Sequence, residues 1–391
     1  MKKLLIFIPF LLFAEILSPL QKELLKNEKD KVIVSGDELK DSWIKPITLQ
    51  YKYNQTDQTP TLQKTNSFII SINQPIFKSG AIWASLKYAR FLKEENLKKV
   101  ELKKAELIKK IYEIVLQIKK IDISIKKENY LIKNADIEIK RKKEQFLNGV
   151  SDSSFLDNAI IKKNNLLLVL NDLKKEKEIL KNRLSNLTTL QYQDIKIPKL
   201  KIVSEKEYLN NFNIQIAKKR VDVKNQLKKM TIGDNLLSIS FITNYNVIKT
   251  EYNKETLLYQ NSNKKFYNIG LSLKIPLDIN SFKRVEEKKL EYLDSVLNYK
   301  ESLIEAKNSY YSQINEIDSI NRKIKIYENS IKNYNSLIKI TKDNVIAGIN
   351  SRLDLENLEN SLEIAKLNKN SLELEKVIKI LNLYYLVKGF K

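Results

Sequence analysis

Any chemistry in this chain would fall to carboxylates, lysines and hydroxyls, because its 391 residues include neither histidine nor cysteine. That removes imidazole bases, thiolate nucleophiles, zinc sites built on His or Cys, and any disulfide framework. The glycines, at 36, 80, 149, 233, 270, 348 and 389, never fall within six residues of one another. A phosphate-cradling loop, a dinucleotide fingerprint and a nucleophile elbow all need closely spaced glycines, so none is present. Carboxylates are plentiful, 47 in all, yet no spacing singles out a pair as acid and base. The chain is read as non-enzymatic, with no cofactor and no metal.

Its net charge of +23 invites a nucleic-acid reading. The 70 Lys and Arg residues, however, are spread along the whole chain, mixed with the acidic ones, and form no arginine-rich patch. Solvated helix faces explain them, and no nucleic-acid partner is expected. The amino terminus, "MKKLLIFIPFLLFA", has two lysines, an apolar run from Leu4 to Phe13, and Ala14 before Glu15. Residues 1–14 read as a secretory signal peptide, too short to anchor the chain in a bilayer. Export is expected. No cysteine stands near the cut to carry a lipid, and no later segment is an apolar transmembrane helix.

Two of the glycines interrupt long helical runs. Prolines are absent from Ile76 to Ile197 and from Leu277 onward, and apolar residues recur there every three or four positions. In the second span these include Tyr310, Ile314, Ile317, Ile320, Ile324 and Tyr327. Such narrow seams predict long coiled-coil helices at about 80–147, 152–188, 281–346 and 351–388. Gly149 and Gly348 stand where one helix stops and the next begins, and Asp152 and Ser351, three residues on, can cap the returning helices. At the same offset of 199, Leu156 falls on Leu355, Leu184 on Leu383 and Leu187 on Leu386.

Ahead of each helical pair the period changes to two. Strands are predicted at about 46–54, 66–75, 236–246 and 266–276, each with one apolar face and aromatic ends. Ten residues of this kind suit a tilted outer-membrane strand. The chain thus divides into a short segment at 15–45, a first repeat at 46–190, a connection with a short helix at 191–235, and a second repeat at 236–389. Each repeat is strand, strand, long helix, tight turn, returning helix. Residues 15–45 are expected to lack the short helix that the second unit keeps near 211–230. Four strands cannot close a membrane barrel, so several chains must contribute; three would supply twelve strands and gather twelve helices into a tube.

At "SINQPIFKSG", "LSLKIPLDIN", "FLNGVSDSSFLDNA" and "VIAGINSRLDLENLEN" the sequence resembles the TolC-type outer-membrane factors, the outer membrane efflux protein family. "LSNLTT" and "YYLVKG" add to the resemblance, which covers about residues 46 to 389. It implies a mainly α chain with a small β part. Three copies would form a 12-stranded outer-membrane barrel continuous with a long helical periplasmic tunnel. The implied function is the passive export duct of a tripartite efflux or type I secretion system in a Gram-negative cell. Its partners would be outer-membrane lipid, a periplasmic adaptor and an inner-membrane pump or secretion transporter. The resemblance makes Asn148, Gly149, Val150, Ala347, Gly348 and Ile349 adaptor contacts. It makes Asp354 the pore constriction, with Asn357 and Phe155 at positions where other members can carry carboxylates. A ring of such carboxylates attracts cations. Val345 and Asn350 stand where some members have the Tyr and Arg that hold the closed state. A duct dedicated to protein secretion and an exported basic coiled-coil scaffold are the alternatives, and the alternating strands argue against the scaffold.

Overall fold

The computed structural model describes residues 16–58, 61–253 and 261–390. The expected signal peptide and its cut lie outside them. In chain order the elements are α1 (Pro19–Asp41), β1 (Thr48–Gln58), β2 (Thr61–Phe77), α2 (Ala81–Leu147) and α3 (Ser153–Ser185). After a connection come α4 (Glu205–Tyr208), α5 (Phe212–Asp234), β3 (Ser238–Asn253), β4 (Ser262–Lys274), α6 (Ser281–Ile346) and α7 (Arg352–Lys388). Strand, strand, long helix and returning helix occur twice. The fold is mainly helical with one small sheet.

Two compact units are built from these elements, and both long helices, α2 and α6, contribute to each. One unit takes the described residues up to Asn27, Val100–Phe212 and Leu303 onward. Its core is a helical seam. Ile108, Ile111, Val115 and Ile118 of α2 are buried at steps of three and four, the spacing of knobs packing into holes. Leu381 and Leu383 of α7 and Ile317 of α6 are buried with equal completeness. The Ser18 N–H donates to the Leu187 carbonyl at 2.9 Å, which ties the amino-terminal segment to the end of α3. Short α4 is fastened to α7 by Lys388 and Glu207, 2.6 Å apart.

The other unit takes Glu28–Lys99 and Asn213–Ser302. It holds the sheet, ordered β1-β2-β3-β4 with every neighbour antiparallel. In the same unit, Glu95 of α2 is a fully buried carboxylate that would be costly alone. Lys99 at 2.7 Å and Arg220 at 3.0 Å neutralise it and join α2 to α5. At the start of α2, Ser79 and Gly80 have φ of +44° and +87°, a left-handed step that swings the chain from strand into helix.

One expectation is corrected here. Residues 15–45 do not lack a helix: α1 is a 23-residue helix, as long as α5. Ser18 caps it, its hydroxyl accepting from the Gln21 N–H at 3.3 Å, and Pro19 occupies its first position. Val32-Ile33-Val34 and Gly36 lower its intrinsic helix propensity. Tertiary contacts hold it instead, with Leu25 buried in one unit and Asp37 bound by Lys93 of α2 at 2.9 Å in the other. The strands also run longer than their alternating cores, at 11, 17, 16 and 13 residues. The extra residues of β1 (55–58) and β4 (262–265) are polar on both faces, so there the backbone ladder continues where the hydropathy pattern has ended.

Candidate functional site

The turn after α2 closes with two bonds. The Gly149 N–H donates to the Phe146 carbonyl at 3.0 Å, and the Val150 N–H reaches the Gln145 carbonyl at 2.9 Å. The turn after α6 repeats them: Gly348 to Val345 at 3.1 Å and Ile349 to Asn344 at 2.8 Å. This is the Schellman arrangement, which satisfies terminal carbonyls only when the residue past the helix is left-handed. Gly149 and Gly348 have φ of +71° and +72°. A Cβ on either would meet nothing within 4 Å, so glycine is needed for backbone conformation and not for space.

Around these turns the structure adds Leu147 and Ile346, which the sequence reading left unassigned, to Val150 and Ile349. Leu147 and Val150 are 69% and 74% exposed, and Ile346 and Ile349 are 86% and 74% exposed. Each turn therefore offers water a pair of apolar side chains at equivalent positions of the two repeats. Their match at the repeat offset was a signal available in the sequence.

The returning helices start differently. Asp152 caps α3, accepting from the Ser154 N–H at 2.7 Å. Ser351 caps α7 in a full capping box. Its hydroxyl accepts from the Asp354 N–H at 3.1 Å, while the Ser351 N–H and hydroxyl donate to Asp354 Oδ2 at 3.0 and 2.7 Å. The other carboxylate oxygen of Asp354 accepts from Arg141 Nη2 of α2. Ser351 first, then the Arg141 guanidinium, hold the Asp354 carboxyl below the usual carboxylate range. The carboxylate expected at a constriction thus already has a capping role and a cationic partner. Phe155 occupies the equivalent position in α3, exposed, with the Lys142 ammonium 5.4 Å from its ring centre. Asn357 lines a cavity of about 510 Å³ with Asn134, Glu138, Arg141 and Lys162, among others. Arg141 was missed by sequence reasoning, since it sits inside the basic run Lys140–Lys143 and its partner is 213 residues away.

In the unit that holds the sheet, the register fixes the two faces. One row runs Leu49, Ile70, Tyr245, Tyr267, and the next row beside it, on the opposite face, runs Gln50, Ile69, Asn246, Phe266. Along the apolar face Tyr267, Ile269, Leu271 and Leu273 of β4 are 66–71% exposed, as are Leu49 and Tyr51 of β1 at 66% and 68%. Both outer strands have one unpaired edge in the single chain. A sheet with an exposed apolar face and two open edges is incomplete in lipid, where every backbone group must be paired. Among the described residues no helix is long and apolar enough to cross a membrane, and no acidic cluster could hold a metal ion.

Residues 203–387 match the sequence model of the outer membrane efflux proteins. No curated protein matches the chain in sequence. Its fold is shared along nearly its whole length with solved channels. The Campylobacter jejuni outer membrane channel CmeC is 16% identical, with 94% of this chain and 83% of that one covered at a TM-score of 0.73. VceC of Vibrio cholerae is 12% identical, with 94% and 93% covered at 0.72. The open state of the Neisseria gonorrhoeae MtrE channel is 12% identical, with 96% and 87% covered at 0.68. A sequence match over residues 203–387, a first repeat built to the same plan, and this fold point the same way: the chain is similar to the TolC-type outer membrane efflux proteins in the sequence of its second half and in the fold of nearly its whole length.

Proposed function

We propose that three copies of this chain form a passive export duct, opened by a periplasmic adaptor and powered by an inner-membrane pump or type I transporter. In this reading the chain resides in the Gram-negative outer membrane and extends into the periplasm, which its similarity to the outer membrane efflux proteins supports. The observation that carries the proposal is the sheet. Its apolar face is exposed across four strands, and its two edges are unpaired within the chain. Four strands are too few to close, and three copies complete a barrel of twelve without leaving an edge in lipid. The duct conducts and the pump supplies the energy.

The two helix turns are the adaptor contacts in this reading, through Asn148, Gly149 and Val150 and through Ala347, Gly348 and Ile349. Their paired apolar side chains suit docking against helical tips with apolar residues of their own. Asp354 lies at the constriction with Asn357 and Phe155, and Arg141 offsets its charge. Reconstitution into a planar bilayer tests the duct. Discrete conductance steps that grow when the cognate adaptor and pump are added support it. A protein that never inserts and never conducts refutes it.

A further inference from the structure

The hydrogen-bond register assigns each strand residue to a face, and charge is distributed between the two faces unevenly. On the polar face one row runs Lys52, Ser67, Ile248, Lys264, from one edge strand to the other. The last polar-face position of β4 is Lys274, opposite Ser238. Across the described residues of the four strands only Asp57 and Glu251 are acidic. Both have the parity of the apolar face, one opposite Leu62 and the other opposite Lys64, and Glu251 is bound by Lys249 at 2.6 Å. The polar face therefore carries three lysines and, among these residues, no carboxylate.

We propose that the water-filled wall of the barrel selects for anionic solutes through Lys52, Lys264 and Lys274. The proposal rests on the duct reading above, in which the apolar face meets lipid and the polar face lines the lumen. Three copies bring nine positive charges to that wall. Lys264 and Lys274 are ten residues apart on β4, about 33 Å along a strand at roughly 3.3 Å per residue, so the positive charge is present at both ends of the lumen. Rings of lysine raise the local concentration of anions and lower that of cations. In the helical unit the one carboxylate assigned to the constriction is already partnered by Arg141. The cargo class that fits is small organic anions, carboxylates or sulfonates among them.

The chain's lack of cysteine allows a direct test. A single reporter, Asn268→Cys, stands on the polar face of β4 between Lys264 and Lys274. The full-length protein in lipid is treated with a sulfonate-bearing and with a trimethylammonium-bearing methanethiosulfonate, each rate divided by that of a free small thiol. A lumen potential of about one kT speeds the anion and slows the cation about 2.7-fold each, a ratio of about seven. That ratio is expected at about 10 mM salt, where the Debye length is about 30 Å, and should approach one at about 1 M. It should also approach one in the combined Lys52→Gln, Lys264→Gln, Lys274→Gln background, and fall partway with Lys264→Gln alone. An Ile269→Cys reporter, on the apolar face, should react with neither reagent. If both reporters react alike, the two faces are not lumen and lipid, and the duct reading falls together with the proposal. If Ile269→Cys is protected but the Asn268→Cys ratio is near one at low salt, or is unchanged by the lysine substitutions, the duct stands and the anion preference is overturned.

Discussion

Gly348 and Asp354 are six residues apart, and each has one physical task that substitution can isolate. Gly348 supplies a left-handed backbone with open space around it. Gly348→Ala should therefore cost only the backbone penalty, about 1–2 kcal/mol, and Gly348→Val more, because a branched Cβ tolerates that region poorly. The loss is local, so limited proteolysis at the turn should accelerate at least fivefold and adaptor affinity should drop, with insertion unchanged. Equal protease resistance in Gly348→Val would show that the turn does not need its glycine. Asp354 has two partners, and two variants separate them. Arg141→Gln leaves the capping box and bares the carboxylate, so block by a trivalent cation in single-channel recordings should strengthen by about tenfold, as an unpaired acidic ring would require. Asp354→Asn should abolish that block in either background. Block that is the same in wild type and in Arg141→Gln would remove Asp354 from the conducting path.

At the scale of elements, α4 is too short to persist alone and relies on its cap and its ion pair. Glu207 accepts from Ser204 in a capping box and binds Lys388, and these contacts, Lys388 first, lower its pKa from 4.5 to about 2. A depressed carboxylate stabilises the folded state fully above its unfolded pKa and loses that contribution as pH falls through the folded one. The gap in melting temperature between wild type and Glu207→Gln should therefore be full above about pH 5, shrink between pH 4.5 and 2, and vanish below. A gap that persists at pH 2 would mean the carboxylate's charge is irrelevant to α4.

The same elements explain how far the sequence could be read. The ends of α2, α6 and α7 are marked by residues whose type is dictated locally: left-handed glycines, and Ser351 as a cap. The apolar cores of the strands are marked by alternation across a half-buried surface. What escaped has a shared cause, dependence on distant partners. Helix α1 draws on contacts with α2 more than on propensity, and the polar ends of β1 and β4 draw on the neighbouring ladder. Arg141 is one lysine-like residue in a basic run until the fold sets it against Asp354.

At the scale of the whole molecule, the decisive feature is a sheet that no single chain can finish. The helices alone would allow a soluble coiled-coil scaffold, and the net charge of +23 would keep such a scaffold dissolved. The sheet does not allow it, because Leu49, Tyr267, Ile269, Leu271 and Leu273 are exposed together. A patch of that kind calls for lipid or a partner surface. Native mass spectrometry of protein extracted from outer membranes in mild detergent tests this most directly. The expected result is a complex of three chains, near three times the 45.8 kDa of one, that is lost from solution when detergent is removed. A monomer that stays soluble without detergent would contradict it.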